Sequence, residues 1–356
     1  MKKAIALLFV MLCCLILKNN IVVFANEPNN HFFIYTVDNE YLFEKEDIAL
    51  NDIYISKDLK MYEITHIDYS QNKAFARFVK LLKKPNVSVN KHPTQISTNN
   101  KKIGLYLTHN DESFVPSDGY DSIYGAGGIH DVARALKTSL QQLGVEVELN
   151  ETLHIPHDYL AYSRSEKTAK ALLKNNADAV FDIHRDGTSR SYYATNYNGE
   201  ERCKIRIVVG QANPNKDENL QFALSLLSVA EKMYPWLFAD IYFAKGHYNQ
   251  ELNNKMLLFE MGTYLIEKEL VLNSVTPLAN VINTVLFNTT INEENGDLVV
   301  GGTVSETTPT INEHLNKVTK SNQFVLNVSV ILTCVLVVVA AVAFFVPLII
   351  LDSSKE

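Results

Sequence analysis

Three short stretches of the sequence set ionisable residues at the end of an apolar run or inside one. His109 and Glu112 follow "LYLT", and His184 follows "FDI". Glu260 lies inside "LLFEMG". Two imidazoles and a carboxylate form a zinc ligand set that leaves a fourth position for water, and a further carboxylate can act as a general base. These residue types therefore indicate metal-assisted hydrolysis.

Each of these residues also has a purely structural interpretation. His109 and Glu112 suit a capped turn, and His184 suits a cap at the end of a strand. Glu260 is harder to explain in this way, because an ionised carboxylate inside an apolar strand is costly unless a partner or a metal compensates it.

The chain from residue 103 onward alternates apolar strands with amphipathic helices. The runs rich in β-forming residues are 103–108, 145–149, 179–183, 204–210, 240–244 and 256–261. This alternation predicts an α/β fold, in which a largely parallel, twisted sheet carries helices on both faces. The candidate residues then fall at the carboxyl ends of strands, where such sheets present ligands.

The remaining segments differ in composition from this α/β part. Residues 31–83 alternate short β-rich runs with Asp/Asn turns, which predicts a small antiparallel β-rich module. The polar residues 84–102 are typical of a linker. We therefore expect a catalytic domain at 103–287, followed by a polar stalk at 288–323.

Both ends of the chain carry apolar segments. Residues 1–25 combine a basic pair, an apolar run and small residues before a cut site, which predicts a signal peptide or an N-terminal anchor. Residues 324–351 contain no charge and exceed the roughly 20 residues that span a bilayer, which predicts a transmembrane helix. The charges flanking that helix leave its orientation open, so the N-terminal signal decides. We expect a protein of the cell membrane with an extracytoplasmic catalytic domain.

Composition excludes one class of partner and one kind of stabilisation. The formal net charge of -7 provides no basic footprint, so we expect no nucleic acid as a partner. Cys203 is the one cysteine outside the apolar ends, which leaves no internal disulfide in the exported part.

Other histidines and glycines are weaker candidates for a site. The run "GAGGIH" at 125–130 lacks the full phosphate-binding pattern and is more typical of a glycine-rich turn. His130 suits the start of a helix, and His154 and His157 suit a loop between elements.

Five stretches together resemble a known family. They are "YLTHNDESFVP", "HDYLAYSRSEKTAKALL", "FDIHRDG", "IVVGQANPNKDENLQFA" and "YNQELNNKMLLFEMG". Their order and spacing resemble those of stage II sporulation protein P, a cell-wall hydrolase family of endospore-forming bacteria. The resemblance covers residues 103 to about 287, and more weakly the β-rich module.

This resemblance implies a function and a set of partners. The fold would be that of a zinc-dependent N-acetylmuramoyl-L-alanine amidase, with endopeptidase activity also ascribed to the family. The substrate would be septal peptidoglycan, thinned during engulfment of the forespore. The partners would be the stage II sporulation proteins D and M at the membrane.

The resemblance also implies a role for each matching residue. His109, Glu112 and His184 would be the zinc ligands, and Glu260 the catalytic carboxylate. We expect Asp186 or a backbone carbonyl to orient the ring of His184. The substrate-binding residues implied by the match are Arg185, Asp186, Tyr248, Asn249 and Gln250.

The sequence departs from the family pattern at two places, and the position of the membrane helix bears on the assembly partners and the sporulation stage rather than on the chemistry. Leu107 stands where family members often carry a histidine, and the family anchor usually lies at the N-terminus rather than the C-terminus. The alternatives are a catalytically inactive, membrane-anchored wall-binding scaffold and a zinc carboxypeptidase acting on stem peptides.

Overall fold

The computed structural model describes residues 31–46, 48–83, 85–90, 101–287, 289–292 and 297–301. The predicted signal or anchor, the predicted transmembrane helix and most of the predicted stalk lie outside the described residues.

The strands and helices have the following bounds. The strands are β1 (His31–Thr36), β2 (Tyr41–Glu46), β3 (Ile53–Ser56), β4 (Lys60–Asp68), β5 (Lys73–Leu81), β6 (Asn86–Asn90), β7 (Lys102–Tyr106), β8 (Glu146–Asn150), β9 (Ala179–Asp186), β10 (Ala194–Tyr197), β11 (Glu200–Cys203), β12 (Ile205–Gly210), β13 (Phe238–Ala244), β14 (Met256–Thr263), β15 (Thr289–Asn292) and β16 (Asp297–Gly301). The helices are α1 (Val115–Asp118), α2 (Ile129–Gln142), α3 (Ala161–Lys174), α4 (Arg190–Tyr193), α5 (Lys216–Met233) and α6 (Lys268–Phe287), with a 3₁₀ turn at Gln250–Leu252.

The predicted alternation of strands and helices is confirmed. The six β-rich runs between residues 103 and 261 form β7, β8, β9, β12, β13 and β14, and the amphipathic segments between and after them form α2, α3, α5 and α6. Gly144 follows α2 with φ +77°, a backbone conformation that favours glycine over residues with a side chain. The protein is therefore a mixed α/β fold.

One large sheet carries most of the strands. Its order is β2-β1-β5-β4-β3-β13-β12-β14-β9-β7-β8. From β13 to β8, one described pair, β12 with β14, is antiparallel, and the other neighbours are parallel. The antiparallel pairing of β3 with β13 joins residues 31–83 to the α/β part. The sequence indicates a module here, but it does not show this pairing.

Two smaller sheets complete the described strands. β10 and β11 form a two-stranded sheet, and β15, β16 and β6 form a three-stranded sheet. β6 lies in the predicted linker, while β15 and β16 lie in the predicted stalk.

The two faces of the large sheet bury different partners. Alternate side chains such as Phe181, Ile183 and Phe259 pack into the core together with residues of α2, α5 and α6. On the other face, Val180 packs with residues of α3, and Leu258 packs with residues of β1 to β5. Each fully buried side chain of this size contributes roughly 1.5–3 kcal/mol. Helices therefore lie on both faces, as predicted, and the N-terminal strands share the second face.

Helix α6 is apolar enough to cross a membrane but belongs to the core. Within the described part of the chain it is the one helix that meets this test, with a mean hydropathy of 1.5 over a window that is 56% buried. Its residues Val271, Leu278 and Ile282 are fully buried against the sheet and its neighbouring helices. The length and apolar composition of α6 therefore reflect its packing in the protein core.

Candidate metal and catalytic site

Four ionisable residues form a row across adjacent strands of the large sheet. His184 of β9 lies opposite Glu260 of β14, and Glu260 lies opposite Arg206 of β12. Arg206 in turn lies opposite Asp240 of β13. Side chains opposite each other in register point to the same face, because alternate residues of a strand share a face. The row therefore lies on the face that α3 and the N-terminal strands cover.

The carboxylate of Glu112 brings the two predicted histidine ligands together. Its Oε1 atom lies 3.2 Å from Nδ1 of His109 and 3.3 Å from Nδ1 of His184. Its Oε2 atom accepts a hydrogen bond of 2.9 Å from the backbone N–H of Arg185. The rings of His109 and His184 stand edge to face, with their centroids 4.9 Å apart. Three side chains from two segments, the loop after β7 and the end of β9, thus converge on one point.

The loop after β7 holds Glu112 in place through its backbone. The N–H of Ile129 donates to the carbonyl of Glu112 over 3.0 Å, and the N–H of Gly127 donates to the carbonyl of Asn110 over 2.9 Å. A Cβ atom on Gly127 would lie 2.2 Å from the carbonyl oxygen of Glu112. Glycine is required here by close backbone approach, and the glycine-rich turn predicted at 125–130 therefore positions a site residue.

Asp182, not Asp186, lies beside the second ring nitrogen of His184. The Nε2 atom of His184 is 3.0 Å from Oδ1 of Asp182, without the angle of a hydrogen bond. Asp182 is itself fixed by the N–H and hydroxyl of Thr108, at 2.9 and 2.6 Å. Asp182 and Asp186 lie on the same face of β9 as His184, but the oxygens of Asp186 are bonded to Lys45, Arg206 and Tyr193. The expectation that Asp186 orients this ring was therefore wrong.

The charges at this centre are strongly coupled. Burial alone would lower the pKa of His184, but the carboxylates of Asp182 and Glu112 hold that pKa well above its usual value. Burial alone would raise the pKa of Glu112, but His184 and His109 hold it well below its usual value. The surrounding oxygens therefore favour a positive charge at this point, whether a proton or a metal ion carries it.

Glu260 is a buried carboxylate next to this centre. It is 9% exposed, and its Oε2 atom has no hydrogen-bond partner among the described residues. Burial, followed by the nearby charge of Asp186, raises the pKa of Glu260 to about 7. A carboxylate with a free oxygen and a pKa close to neutrality has the properties of a general base.

Asp186 takes part in a buried ionic cluster with the middle of the row. Its Oδ1 atom is 3.0 Å from Nζ of Lys45, and its Oδ2 atom is 2.6 Å from Nη1 of Arg206. The hydroxyl of Tyr193 also donates to Oδ2 over 2.9 Å. Arg206 is fully buried and forms two further bonds to Asp240, of 2.8 and 3.0 Å. These contacts favour a structural role for Asp186, and its predicted role in substrate binding stays a prediction.

His157, which the sequence marked only as a weaker candidate in a loop, lies at the site. Its ring stacks on that of His109 at a centroid distance of 3.8 Å, and its Nδ1 atom lies 3.0 Å from Oδ1 of Asp111. One ligand atom from each of His109, Glu112 and His157 lies within 4.8 Å of the others. Its position in a loop gave no periodic signal that could have marked it.

Arg185 and Tyr248 are two more of the residues predicted to bind substrate, and each contacts a neighbouring group. The side chain of Arg185 donates to the carbonyl of Asp121 over 3.0 Å. The Tyr248 ring meets that of Tyr162 at a centroid distance of 5.0 Å, and the Tyr162 ring faces that of His184 at 6.2 Å.

Asn249 and Gln250 support the surrounding structure. The amide of Asn249 donates to the carbonyl of Tyr162 and to the hydroxyl of Ser165, at 3.2 and 3.0 Å. Gln250 bonds the backbone of β12, at Gly210 and Val208. Their predicted roles in substrate binding stay predictions, and these bonds show that both residues also tie the loop before β14 to its neighbours.

The residues at the centre fit a zinc ion. Zinc binds neutral imidazole nitrogens and carboxylate oxygens, and the structure brings two of the former to one of the latter. Beside them, the Oε2 atom of Glu260 is buried without a hydrogen bond to any described residue. Unpaired buried polar atoms of this kind are uncommon and call for an ion, a water or a substrate.

Comparison with known proteins identifies the family. The model of the stage II sporulation protein P family matches residues 30–283 of this chain. The chain belongs to the stage II sporulation protein P family. The match includes the strands β1 to β5 as well as the α/β part, so the family unit contains both halves of the large sheet.

Stage II sporulation protein P of Bacillus subtilis strain 168 is a relative with moderate identity. It is 27% identical to this chain over 190 residues, which is 48% of this chain and 47% of that protein. The match thus spans about half the length of this relative.

Solved structures with some likeness to this chain are amidases. The apo N-acetylmuramyl-L-alanine amidase Ami1 of Mycobacterium abscessus is 15% identical, with a TM-score of 0.34, and the likeness covers 51% of this chain and 94% of Ami1. The CwlD amidase of Clostridioides difficile, solved in complex with the GerS lipoprotein, is 18% identical, with a TM-score of 0.34 and the same coverage.

Proposed function

We propose that this protein is a zinc-dependent N-acetylmuramoyl-L-alanine amidase that hydrolyses peptidoglycan during endospore formation. The observation that carries the proposal is the convergence of His109 and His184 on one oxygen of Glu112, beside the buried carboxylate of Glu260. Membership of the stage II sporulation protein P family supports a role in the cell wall of sporulating cells.

The proposed zinc ligands are His109, Glu112 and His184. When bound, zinc supplies Lewis-acid chemistry, which polarises an amide carbonyl and acidifies water. The carboxylate of Asp182 lies next to the Nε2 atom of His184, where carboxylates commonly lie near metal-ligating histidines. His157 stacks on His109 and fixes that ring from the solvent side.

Glu260 is the proposed general base and acid. Its unpaired Oε2 atom is available to accept a proton from the attacking water and to deliver it to the departing amine of L-alanine. Lys45 and Arg206 bond Asp186 and offset its negative charge. Lys45 also limits how far burial and Asp186 raise the pKa of Glu260.

The wider setting is also part of the proposal. The wall substrate would be septal peptidoglycan, and the protein would act at the cell membrane with its catalytic domain outside the cytoplasm. Stage II sporulation proteins D and M would be its partners, and endopeptidase activity a second activity of the same site.

The experiment combines metal analysis with identification of the products. Purified full-length protein in detergent is expected to contain one zinc ion per chain and to release stem peptides with a free L-alanine amine from peptidoglycan, read by mass spectrometry. Glu260→Gln should retain zinc and lose turnover by at least 100-fold, on the scale of general acid–base contributions. Glu166→Gln, which changes a glutamate on α3 paired with Lys170, serves as the matched control.

Two other results would replace the amidase with an alternative. Release of a C-terminal amino acid without a free L-alanine amine would identify a carboxypeptidase. A folded protein that binds walls without zinc and without release of product would identify a wall-binding scaffold.

A further inference from the structure

A cavity outside the catalytic site lies at the junction of the N-terminal strands and the α/β part. We call it the aromatic groove, and its volume is about 870 Å³. One wall comes from β2, β3 and β4, and the other from α4, β10 and the segment before β13. Its lining includes Tyr41, Ser56, Lys57, Lys60, Tyr197 and Lys204.

The charged row leads from the catalytic site to this groove. Asp240, the last member of the row, lies opposite Ser56 of β3, which lines the groove. A line across the sheet from His184 to Ser56 crosses four strand spacings, which is a distance of roughly 19 Å. Tyr192 stands at the boundary, since it donates to Asp240 and its ring lies 4.9 Å from the guanidinium of Arg206. This separation is within the length of an extended polymer segment, and because Arg206 and Asp240 are fully buried, such a ligand would pass over the protein surface between the two places.

The walls of the groove expose flat apolar surface. Tyr41 is 49% exposed and Tyr197 is 37% exposed, and Phe33 at the rim is 41% exposed. Tyrosine rings with a solvent-exposed hydroxyl edge bind partners that have one apolar face and several hydroxyls. The ring face buries apolar surface of the partner, while the edge keeps its polar contacts. Sugar rings have this character.

The groove also offers positive charge. Lys57 and Lys60 are exposed, and Lys204 is half-buried with its amine 5.1 Å from the centre of the Tyr192 ring. In the part of the chain that the structure describes, none of these three lysines forms an ion pair. The groove is also lined by two acidic residues, Glu44 and Asp58, so three lysines against two carboxylates leave a formal charge of +1. The groove therefore favours a ligand with carboxylates.

We propose that the aromatic groove binds a second segment of the peptidoglycan strand, with sugar rings on the tyrosines and stem-peptide carboxylates on the lysines. Polymeric wall then occupies the groove and the catalytic site together, whereas a single disaccharide-peptide reaches only the catalytic site. This inference rests on the proposed function, because it assumes that the same polymer is the substrate.

The test compares polymeric wall with a minimal fragment. Full-length protein in detergent is assayed for hydrolysis of purified sacculi and of a soluble disaccharide-peptide. Pelleting with sacculi is measured for each variant in protein that also carries Glu260→Gln. The groove variants are Lys57→Glu/Lys60→Glu and Tyr197→Ala. Lys167→Glu/Lys174→Glu makes the same charge change on α3, outside the groove.

The expected result separates the two substrates. Reversal of two charges should lower kcat/KM for sacculi by about tenfold and weaken pelleting by a similar factor, while kcat/KM for the fragment changes less than about twofold. The control should match the wild type with both substrates, and all variants should unfold at the wild-type temperature.

Three other outcomes have a defined meaning. Groove variants that hydrolyse and pellet sacculi like the control overturn the groove proposal and leave the proposed function intact. Equal losses on sacculi and fragment also overturn it, because a site remote from the fragment should not affect its hydrolysis. If wild-type protein hydrolyses neither substrate, the proposed function fails, and weaker pelleting of groove variants then still supports wall binding by the groove.

Discussion

Substitution of Arg206 by methionine should destabilise this protein more than any change at its surface. The side chain is fully buried, bonds Asp240 through two nitrogens and Asp186 through a third, and lies 5.6 Å from the centre of the Phe43 ring. Removal of one partner of a buried ion pair leaves the other charge uncompensated and costs about 3–5 kcal/mol. For a folded unit of this size we expect the Tm to fall by roughly 6–20 °C.

The matched control is Arg77→Met, which removes an arginine that is also bonded to a carboxylate. Arg77 donates from two nitrogens to Glu63, but its side chain is 64% exposed, and such pairs contribute about 1 kcal/mol or less. Thermal unfolding of the two variants, followed by circular dichroism at pH 7, gives the comparison. Equal shifts for Arg206→Met and Arg77→Met would refute the reasoning that burial makes the difference.

The same variant should show a distinct pH dependence. Burial alone would raise the pKa of Asp186, but Lys45 and Arg206 hold it well below its usual value. A depressed pKa adds stability above the unfolded pKa of about 3.9, and this stability is lost as the pH falls through the folded pKa. The gap between wild type and Arg206→Met should therefore be widest near pH 7 and narrow below about pH 4. A gap that stays constant down to pH 3 would contradict this account.

Three further predictions concern the catalytic site. In metal-free protein, Glu260→Gln should raise stability at pH 8 by about 3 kcal/mol, because the folded pKa of about 7 lies above the unfolded value and stability is lost as the pH rises between them. Urea unfolding measures this gain, which should vanish near pH 4. Gly127→Ala should push the backbone of Glu112 away and lower turnover on the order of 100-fold, the scale of a 1 Å misplacement; unchanged zinc content and turnover would contradict it. His184→Ala should abolish stoichiometric zinc binding, whereas His157→Ala should weaken it by about 10–100-fold as the loss of a neighbouring group. Zinc titration with a chelating dye checks this order, and a reversed order would make His157 the ligand.

The strands and helices of the α/β part were largely predictable. In β9, the apolar residues Phe181 and Ile183 alternate with the polar residues Asp182 and His184. This alternation shows which side chains lie on each face of the strand. Strand β2, with the sequence "YLFEKE", has no clear β pattern because charged residues interrupt its apolar residues. Of those charges, Glu44 is buried and Lys45 is half-buried, through contacts that no local pattern predicts.

The sequence predicted which residue types belong to the candidate site, but it did not predict how those residues are arranged in space. Charged residues inside apolar runs marked His184 and Glu260, and the same signal was present for Arg206 and Asp240. What the sequence lacked was the direction of the strands, since β12 and β13 run opposite to β14.

The sequence by itself determined which segments become strands and helices and which residue types can bind a metal, because periodicity and side-chain chemistry are local properties. Only the tertiary structure decided that His184, Glu260, Arg206 and Asp240 share one row, and that Lys45 reaches Asp186 across 141 positions of the chain. Register and strand order arise from how whole faces pack together, and a shift of one residue would turn every member of the row to the opposite face.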